Sequence, residues 1–148
     1  MAYRIIKTIH ISIWLLIVDQ FTKRLSLNIP EEGMPIINNF LEFKYSENFG
    51  IAFSIPVPKT ALLIATIGLL IFLTYYLVKE LNLKKYVSQA ALALIWAGGF
   101  GNLIDRIFRG YVVDFISIWK WPIFNVADVY ILAGVLLLIG FYAKIKKV

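Results

Sequence analysis

A 148-residue chain with no cysteine and a single histidine has few side chains that can do chemistry. A thiol nucleophile, a thiolate metal site and a disulfide are excluded by composition. One imidazole cannot build a zinc site of the usual kind, and His10 lies in an apolar run, where it reads as packed or interfacial. Carboxylates remain. The stretch "GYVVDFISIWKWPIFNVADVY", Gly110 to Tyr130, carries Asp114 and Asp128 beside the last apolar segment. Each has a plain structural reading: Asp114 as a solvated loop residue, and Asp128 as a first-turn helix acid favoured by the macrodipole and capped by Asn125. Taken together they suggest more. Pro122 and the short linker keep the acids within reach of each other, and two facing carboxylates do not both ionise easily. Such a pair shares a proton near neutral pH. One member can then take a proton from water while the other polarises a carbonyl, with no metal, thiol or cofactor.

Other polar residues sit within or beside apolar runs, where burying them costs free energy and a role is the default expectation. Asp19 and Lys23 are four apart, on one helix face, with the acid N-terminal. They form either a neutralised pair at the membrane edge or part of a site. In "GGFGNLIDR", Gly98, Asn102 and Arg106 recur every four residues and make one stripe: no bulk, then an amide, then a guanidinium. Close helix packing explains the glycines; the amide and guanidinium suit holding a substrate backbone or a carboxylate. Asp105 and Arg109 read as an interfacial i,i+4 pair. The glycines do not make a phosphate loop, since no Lys-Ser/Thr follows and no strand precedes. Ser54 and Lys59 are a weak basis for a Ser-Lys nucleophile, because Pro56 and Pro58 intervene.

The elements that would position these residues are membrane spans. Hydrophobic residues make up 60% of the chain and charged ones 16%, against roughly 25% charged in soluble domains. Mean hydropathy is +0.78. Four stretches approach the ~20 residues that cross a bilayer: 8–27, 60–78, 86–104 and 123–143. The first resembles a signal peptide but lacks a small-x-small cleavage site, so a retained helix is expected. Arg4, Lys7, Lys79, Lys84, Lys85, Lys144, Lys146 and Lys147, opposed only by Glu80, cluster at one set of span ends. The positive-inside rule puts both termini in the cytoplasm and Asp114, Asp128 and residues 28–58 at the outer face. The net charge of +6 thus reads as topology, and no basic stripe suggests nucleic acid.

Within 28–58, "FLEFKYS" alternates with period two and predicts a half-buried strand. "ENFG" predicts a turn and "IAFSI" a second short strand. The aromatic stretch Phe115–Trp121 predicts an interfacial segment, suited to covering a cleft. The expected fold is an all-α membrane protein, one domain over 1–148, with four transmembrane helices, a small extracytoplasmic β-sheet and a short interfacial segment.

The blocks "DQFTK" (Asp19–Lys23), "NFGIAFS" (Asn48–Ser54), "GGFGNLIDR" (Gly98–Arg106), "VVDF" (Val112–Phe115) and "FNVAD" (Phe124–Asp128) appear in this order over nearly the whole chain. In this the chain resembles lipoprotein signal peptidase (signal peptidase II), a family of bacterial intramembrane aspartyl proteases. The resemblance implies removal of signal peptides from diacylglyceryl-modified prolipoproteins, on the N-terminal side of the lipidated lipobox cysteine. It implies that Asp114 and Asp128 are the catalytic dyad. Asp19, Lys23, Asn48, Gly50, Asn102, Arg106 and Asn125 match positions that support or line the site. Asn102 and Arg106 would position site and substrate, Asn125 would orient Asp128, and Asn48 with Gly50 would belong to the outer sheet near the cleft. No metal or cofactor is implied. The expected partners are lipid-modified prolipoproteins and membrane lipids, and the expected state is a monomer in the bacterial inner membrane. Two features depart from the pattern: Val129 stands where many members have serine, and the segment between the aspartates is short. A four-helix proton-coupled transporter is the competing reading, but it would place an acid near mid-membrane in the first or third span rather than at span ends. A non-enzymatic assembly factor is a further class.

Overall fold

The computed structural model describes residues 2–50 and 58–147. The second strand expected over "IAFSI", together with Ser54 and Pro56, lies outside the described residues. Among the described residues four helices, α1 (Ala2–Ser26), α2 (Lys59–Glu80), α3 (Tyr86–Phe108) and α4 (Val126–Ile145), accompany three strands, β1 (Met34–Ile37), β2 (Leu41–Asn48) and β3 (Val112–Ile118). All four helices are long and apolar enough to cross a membrane. They follow the four expected spans, with α1 starting earlier and α3 running on through Phe108.

The helix α3 is the centre of the bundle; α1, α2 and α4 each pack against it. Small residues allow the close approach. A Cβ at Gly98 would collide with the Ala127 carbonyl, and one at Gly134 would stand 2.8 Å from Ile95 Cγ1. The α2 helix carries no acidic residue before Glu80, buries Leu62, Leu70 and Leu77, and receives the Trp96 indole on Thr74 Oγ1 at 2.8 Å. An apolar cluster of Leu77, Leu81, Leu83, Leu92, Ile95 and Ile145 closes the end of the bundle away from the sheet. There the chain also ties α2 to α4 through backbone: Asn82 N donates to Ile145 O at 2.7 Å and Lys147 N to Glu80 O at 2.8 Å.

The sheet is antiparallel in the order β1-β2-β3. The alternating "FLEFKYS" becomes β2, as its periodicity predicts, and sits in the middle. Two local expectations change. Glu47 and Asn48, expected in a turn, complete β2, because pairing of Glu47 with Val113 and Asn48 with Val112 outweighs their turn preference. The stretch Phe115–Ile118, expected as interfacial chain, belongs to β3. Phe115 is buried and its ring tilts against Phe43 at 6.3 Å, whereas Trp119 and Trp121 are exposed. The last helix starts at Val126 rather than at 123. Phe124 is held in a bridge to β3, giving its N–H to Ile116 O and accepting from Ile116 N at 2.8 Å. This bridge folds the short linker back on itself, so the residues before and after it converge.

Candidate active site

Asp114 is the third residue of β3 and Asp128 lies in the first turn of α4. Sequence separation and fold bring both to the sheet end of α3. Asn125 joins them. Its side-chain amide donates to Asp114 Oδ1 at 2.6 Å, while its backbone N–H donates to Asp128 Oδ2 at 3.2 Å. Its side-chain oxygen accepts from Asp128 N at 3.0 Å. The last two bonds form a capping box, which satisfies helix-terminal N–H groups that would otherwise be orphaned. The expected cap therefore also sets the orientation of Asp128 relative to Asp114.

The remaining carboxylate oxygens are taken by two further amides. Asn102 Nδ2, from α3, donates to Asp128 Oδ1 at 2.8 Å. Asn48 Nδ2, from β2, donates to Asp114 Oδ2 at 3.0 Å. Asn48 pairs with Val112, so Asp114 is its diagonal neighbour on the same face of the sheet. Asn48 Oδ1 in turn accepts from Gly50 N at 3.0 Å. Arg106, one turn beyond Asn102, donates from Nη2 to Gly50 O at 3.3 Å, and its Nε has no hydrogen-bond partner among the described residues. All nine residues singled out in the sequence thus join one connected cluster. Asp114, Asn102 and Asn125 are buried.

Burial pushes the Asp114 carboxyl up to about 6; the neighbouring charge of Asp128 acts the same way, while the Asn48 and Asn125 amides and the charge of Lys23 oppose it. A carboxyl in this range exchanges its proton near neutral pH, which suits acid–base work.

Behind the two acids lies a second polar layer. Lys23 is fully buried and contacts Asp19 Oδ2 at 3.1 Å, Asp105 Oδ2 at 2.8 Å and Asn102 Oδ1 at 3.0 Å. Three acceptors match the three N–H bonds of an ammonium. The pair Asp19–Lys23 is therefore not at a wetted membrane edge. Asp105 is fully buried too; it also pairs with Arg109 and accepts from Gln20. Sequence reasoning assigned Asp105 only to the Arg109 pair and passed over Gln20. The available signal was an acid three residues before the end of a buried apolar helix, but its main partner, Lys23, lies on another helix. Among the described residues no group of His, Asp and Glu is arranged to hold a metal ion. Val129 is exposed. A concavity of about 500 Å³ on the sheet, lined by Asn38, Phe40 and Trp119 among others, contains none of these site residues.

Four spanning helices, with a sheet and a buried polar cluster at one end, define the class: a small polytopic membrane enzyme. Two solved structures described as bacterial membrane enzymes share the fold. One has a TM-score of 0.82 and 34% identity, covering 93% of this chain and 88% of its own; the other has 0.76 and 33%, covering 93% of each. Residues 11–144 match the family described as signal peptidase (SPase) II. The lipoprotein signal peptidase of Chlorobaculum tepidum is 37% identical over 87% of this chain and 89% of that one. That of Clostridium novyi is also 37% identical, over 89% and 94%. The chain belongs to the signal peptidase II family, and is a bacterial membrane peptidase that removes signal peptides from lipoproteins.

Proposed function

We propose that this chain is an aspartyl endopeptidase that cuts diacylglyceryl-modified prolipoproteins on the N-terminal side of the lipidated lipobox cysteine, with Asp114 and Asp128 as its catalytic pair. The observation that carries the reading is Asn125, one residue hydrogen-bonded to both acids, by its side chain to Asp114 and by its backbone to Asp128. In the resting pair one acid holds a proton and the other is ionised, an arrangement favoured by the raised Asp114. The ionised carboxylate takes a proton from a water molecule as its oxygen adds to the scissile carbonyl carbon. The protonated acid gives its proton to the carbonyl oxygen, so a neutral tetrahedral intermediate forms. Collapse returns the carbonyl, breaks the C–N bond and moves a proton to the leaving amine. Asn102 holds Asp128, Asn48 holds Asp114, and Arg106, bonded to Gly50 O, positions the site and the substrate on the sheet side. Asp19 and Lys23 support the site from behind, and Gly50 shapes its sheet side.

In this reading the sheet end faces outward across the cytoplasmic membrane, both termini stay inside, and the enzyme acts as a monomer without a cofactor. The lipid anchor of the substrate remains in the bilayer while its peptide reaches the acids. The spread of lysines to the far end of the bundle supports this orientation. A transporter is not favoured, since the buried acids are grouped at one end of the bundle rather than along it.

The test is cleavage of a lipidated prolipoprotein by purified protein in detergent, with Asp114→Asn, Asp128→Asn and unlipidated precursor as comparisons. Wild type should cut only the lipidated form, and either Asn variant should be inactive. Full activity in either variant removes the dyad. Because the chain has no cysteine, Glu31→Cys and Lys84→Cys report topology: an impermeant maleimide should label position 31 in intact cells and position 84 only after permeabilisation.

A further inference from the structure

Two fully buried carboxylates, Asp19 and Asp105, take no part in the proposed proton transfers. Both do something specific to the backbone. Asp19 Oδ1 accepts from Ala127 N at 2.9 Å, and Ala127 is the residue before Asp128. Asp105 Oδ2 accepts from Val113 N at 3.3 Å, and Val113 is the residue before Asp114. Each buried acid therefore grips the chain one residue ahead of one of the paired acids. The two grips are joined through a single cation, since Lys23 Nζ binds Asp19 Oδ2 at 3.1 Å and Asp105 Oδ2 at 2.8 Å. Its third contact is Asn102 Oδ1, which fixes that amide with its N–H side toward Asp128. Gly101 leaves room for this layer: a Cβ there would stand 2.5 Å from Asp19 Oδ2.

We infer that Lys23 is the residue that sets the spacing of the two acids, acting through Asp19 on the start of α4 and through Asp105 on β3. This rests on the dyad reading above and extends it: Asp19, Lys23 and Asp105 are positioning residues, and none touches substrate. The alternative role for such a cluster is to fill the bundle and hold its helices. The geometry argues for more than filling, because both acids spend one oxygen on a backbone N–H adjoining the site and the other or the same oxygen on one shared ammonium. Partial loss of this arrangement leaves the helices in place but frees β3 and α4 to shift relative to each other. A misplacement of about 1 Å in such a site costs about 100-fold in rate.

The experiment uses full-length enzyme in nanodiscs, a lipidated precursor, and Lys23→Gln, Asp105→Asn, the double variant Lys23→Gln/Asp105→Asn, and Arg109→Gln. Each is measured for melting temperature, kcat, KM and the pH dependence of kcat. The single buried variants should lose kcat by about 10- to 100-fold with KM changed much less. Loss of the Lys23 charge should also move the acid limb of the profile to higher pH. The charged groups bearing on Asp114 are Lys23 from α1, Arg106 from α3 and Asp128 from α4, beside the Asn48 and Asn125 amides, and only Lys23 is altered. The double variant removes one charge of each sign. It should melt closer to wild type than Lys23→Gln while staying at least about 10-fold slow. A double variant with wild-type kcat and pH profile would overturn the inference and reduce the cluster to charge burial. Arg109 is partly exposed and pairs with Asp105, so Arg109→Gln gives a reading even where the buried variants do not fold. It should lower kcat by about 2- to 5-fold at constant KM, the scale of an exposed ion pair, and unchanged kcat counts against the proposal. The Asp114→Asn and Asp128→Asn enzymes run alongside: if they cleave, the dyad and this inference fall together; if they are dead while Arg109→Gln and the buried variants keep kcat, only this inference falls.

Discussion

At the far end of the bundle α2, α3 and α4 meet through Leu77, Leu81, Leu92, Ile95 and Ile145, while at the sheet end α1, α3 and α4 meet through Asp19, Lys23, Asn102, Asp105 and Asn125. The same helix α3 runs through both. Apolar side chains meet through non-directional packing, which returns stability through close van der Waals contact in lipid and through surface removed from water at the bundle end. A buried charge cluster returns little net stability, because desolvating the ions offsets their attraction. What it supplies is direction: each N–H or oxygen accepts a partner only within a narrow range of distance and angle. The division is therefore one of labour. The far end packs the helices together, and the sheet end holds the carboxylates of Asp114 and Asp128 through directed hydrogen bonds.

Substitutions at the two ends should separate these roles, and the largest effect is expected at the acids themselves. Asp114→Asn and Asp128→Asn should each lower kcat by about 10³-fold or more, with melting temperatures at or above wild type. Matching stability losses, with activity lost in only one variant, should follow from Leu92→Ala and Lys23→Met. Deleting the buried Leu92 side chain should cost about 2–5 kcal/mol while kcat per folded enzyme is unchanged. Leaving Asp19 without its cation, and Asp105 with Arg109 alone, should cost about 3–5 kcal/mol and take activity with it, as read by chemical denaturation and turnover on one preparation. Equal kcat in both variants would erase the contrast.

The pH dependence of stability should come from the sheet end. Asp114 is raised from 3.8 to about 6 in the fold, chiefly by burial. Below pH 3.8 it is protonated in folded and unfolded chains alike, and its contribution is fully present. As pH rises through about 6 the folded state must also give up the proton in a buried place, and the contribution is lost. Melting temperature should fall between pH 4 and pH 7, and Asp114→Asn should flatten that fall. Among the glycines, Gly101→Ala should destabilise by about 1–3 kcal/mol, since the new Cβ would press on Asp19. The smallest effect belongs to Gly68 of α2, where a Cβ meets nothing within 4 Å. Gly68→Ala should be neutral to slightly stabilising, by about 0.4–1 kcal/mol, and a large loss there would show that α2 carries a contact not visible in its packing on α3.

Much of this was readable from local pattern. Four apolar runs of bilayer length announced the helices. The alternation in "FLEFKYS" announced β2, the spacing of Gly98, Asn102 and Arg106 announced one working face of α3, and Asn125 before Asp128 announced a cap. The failures share a cause. "MPII" and "VVDFISI" are strands because β2 lies between them, and neither has a distinct alternation of its own: Val112, Val113, Asp114 and Phe115 are all buried, so both faces are covered. Asn48 looked like a turn residue and is held in β2 by its pairing with Val112. Asp105 looked like one half of an i,i+4 pair, because local spacing points only to Arg109.

By itself the sequence determined that the chain belongs in a membrane, has four segments long and apolar enough to cross it, and carries no thiol. Those properties follow from composition and from periods of two and four, which are set by the geometry of a strand and a helix. That one amide, Asn125, bonds both Asp114 and Asp128, and that Asp19 and Asp105 share Lys23, were decided only when β3 and α4 converged on the end of α3. Lys23 and Asp105 lie far apart along the chain and 2.8 Å apart in space. A hydrogen bond depends on position to within tenths of an ångström, and no local pattern carries that information across two helices.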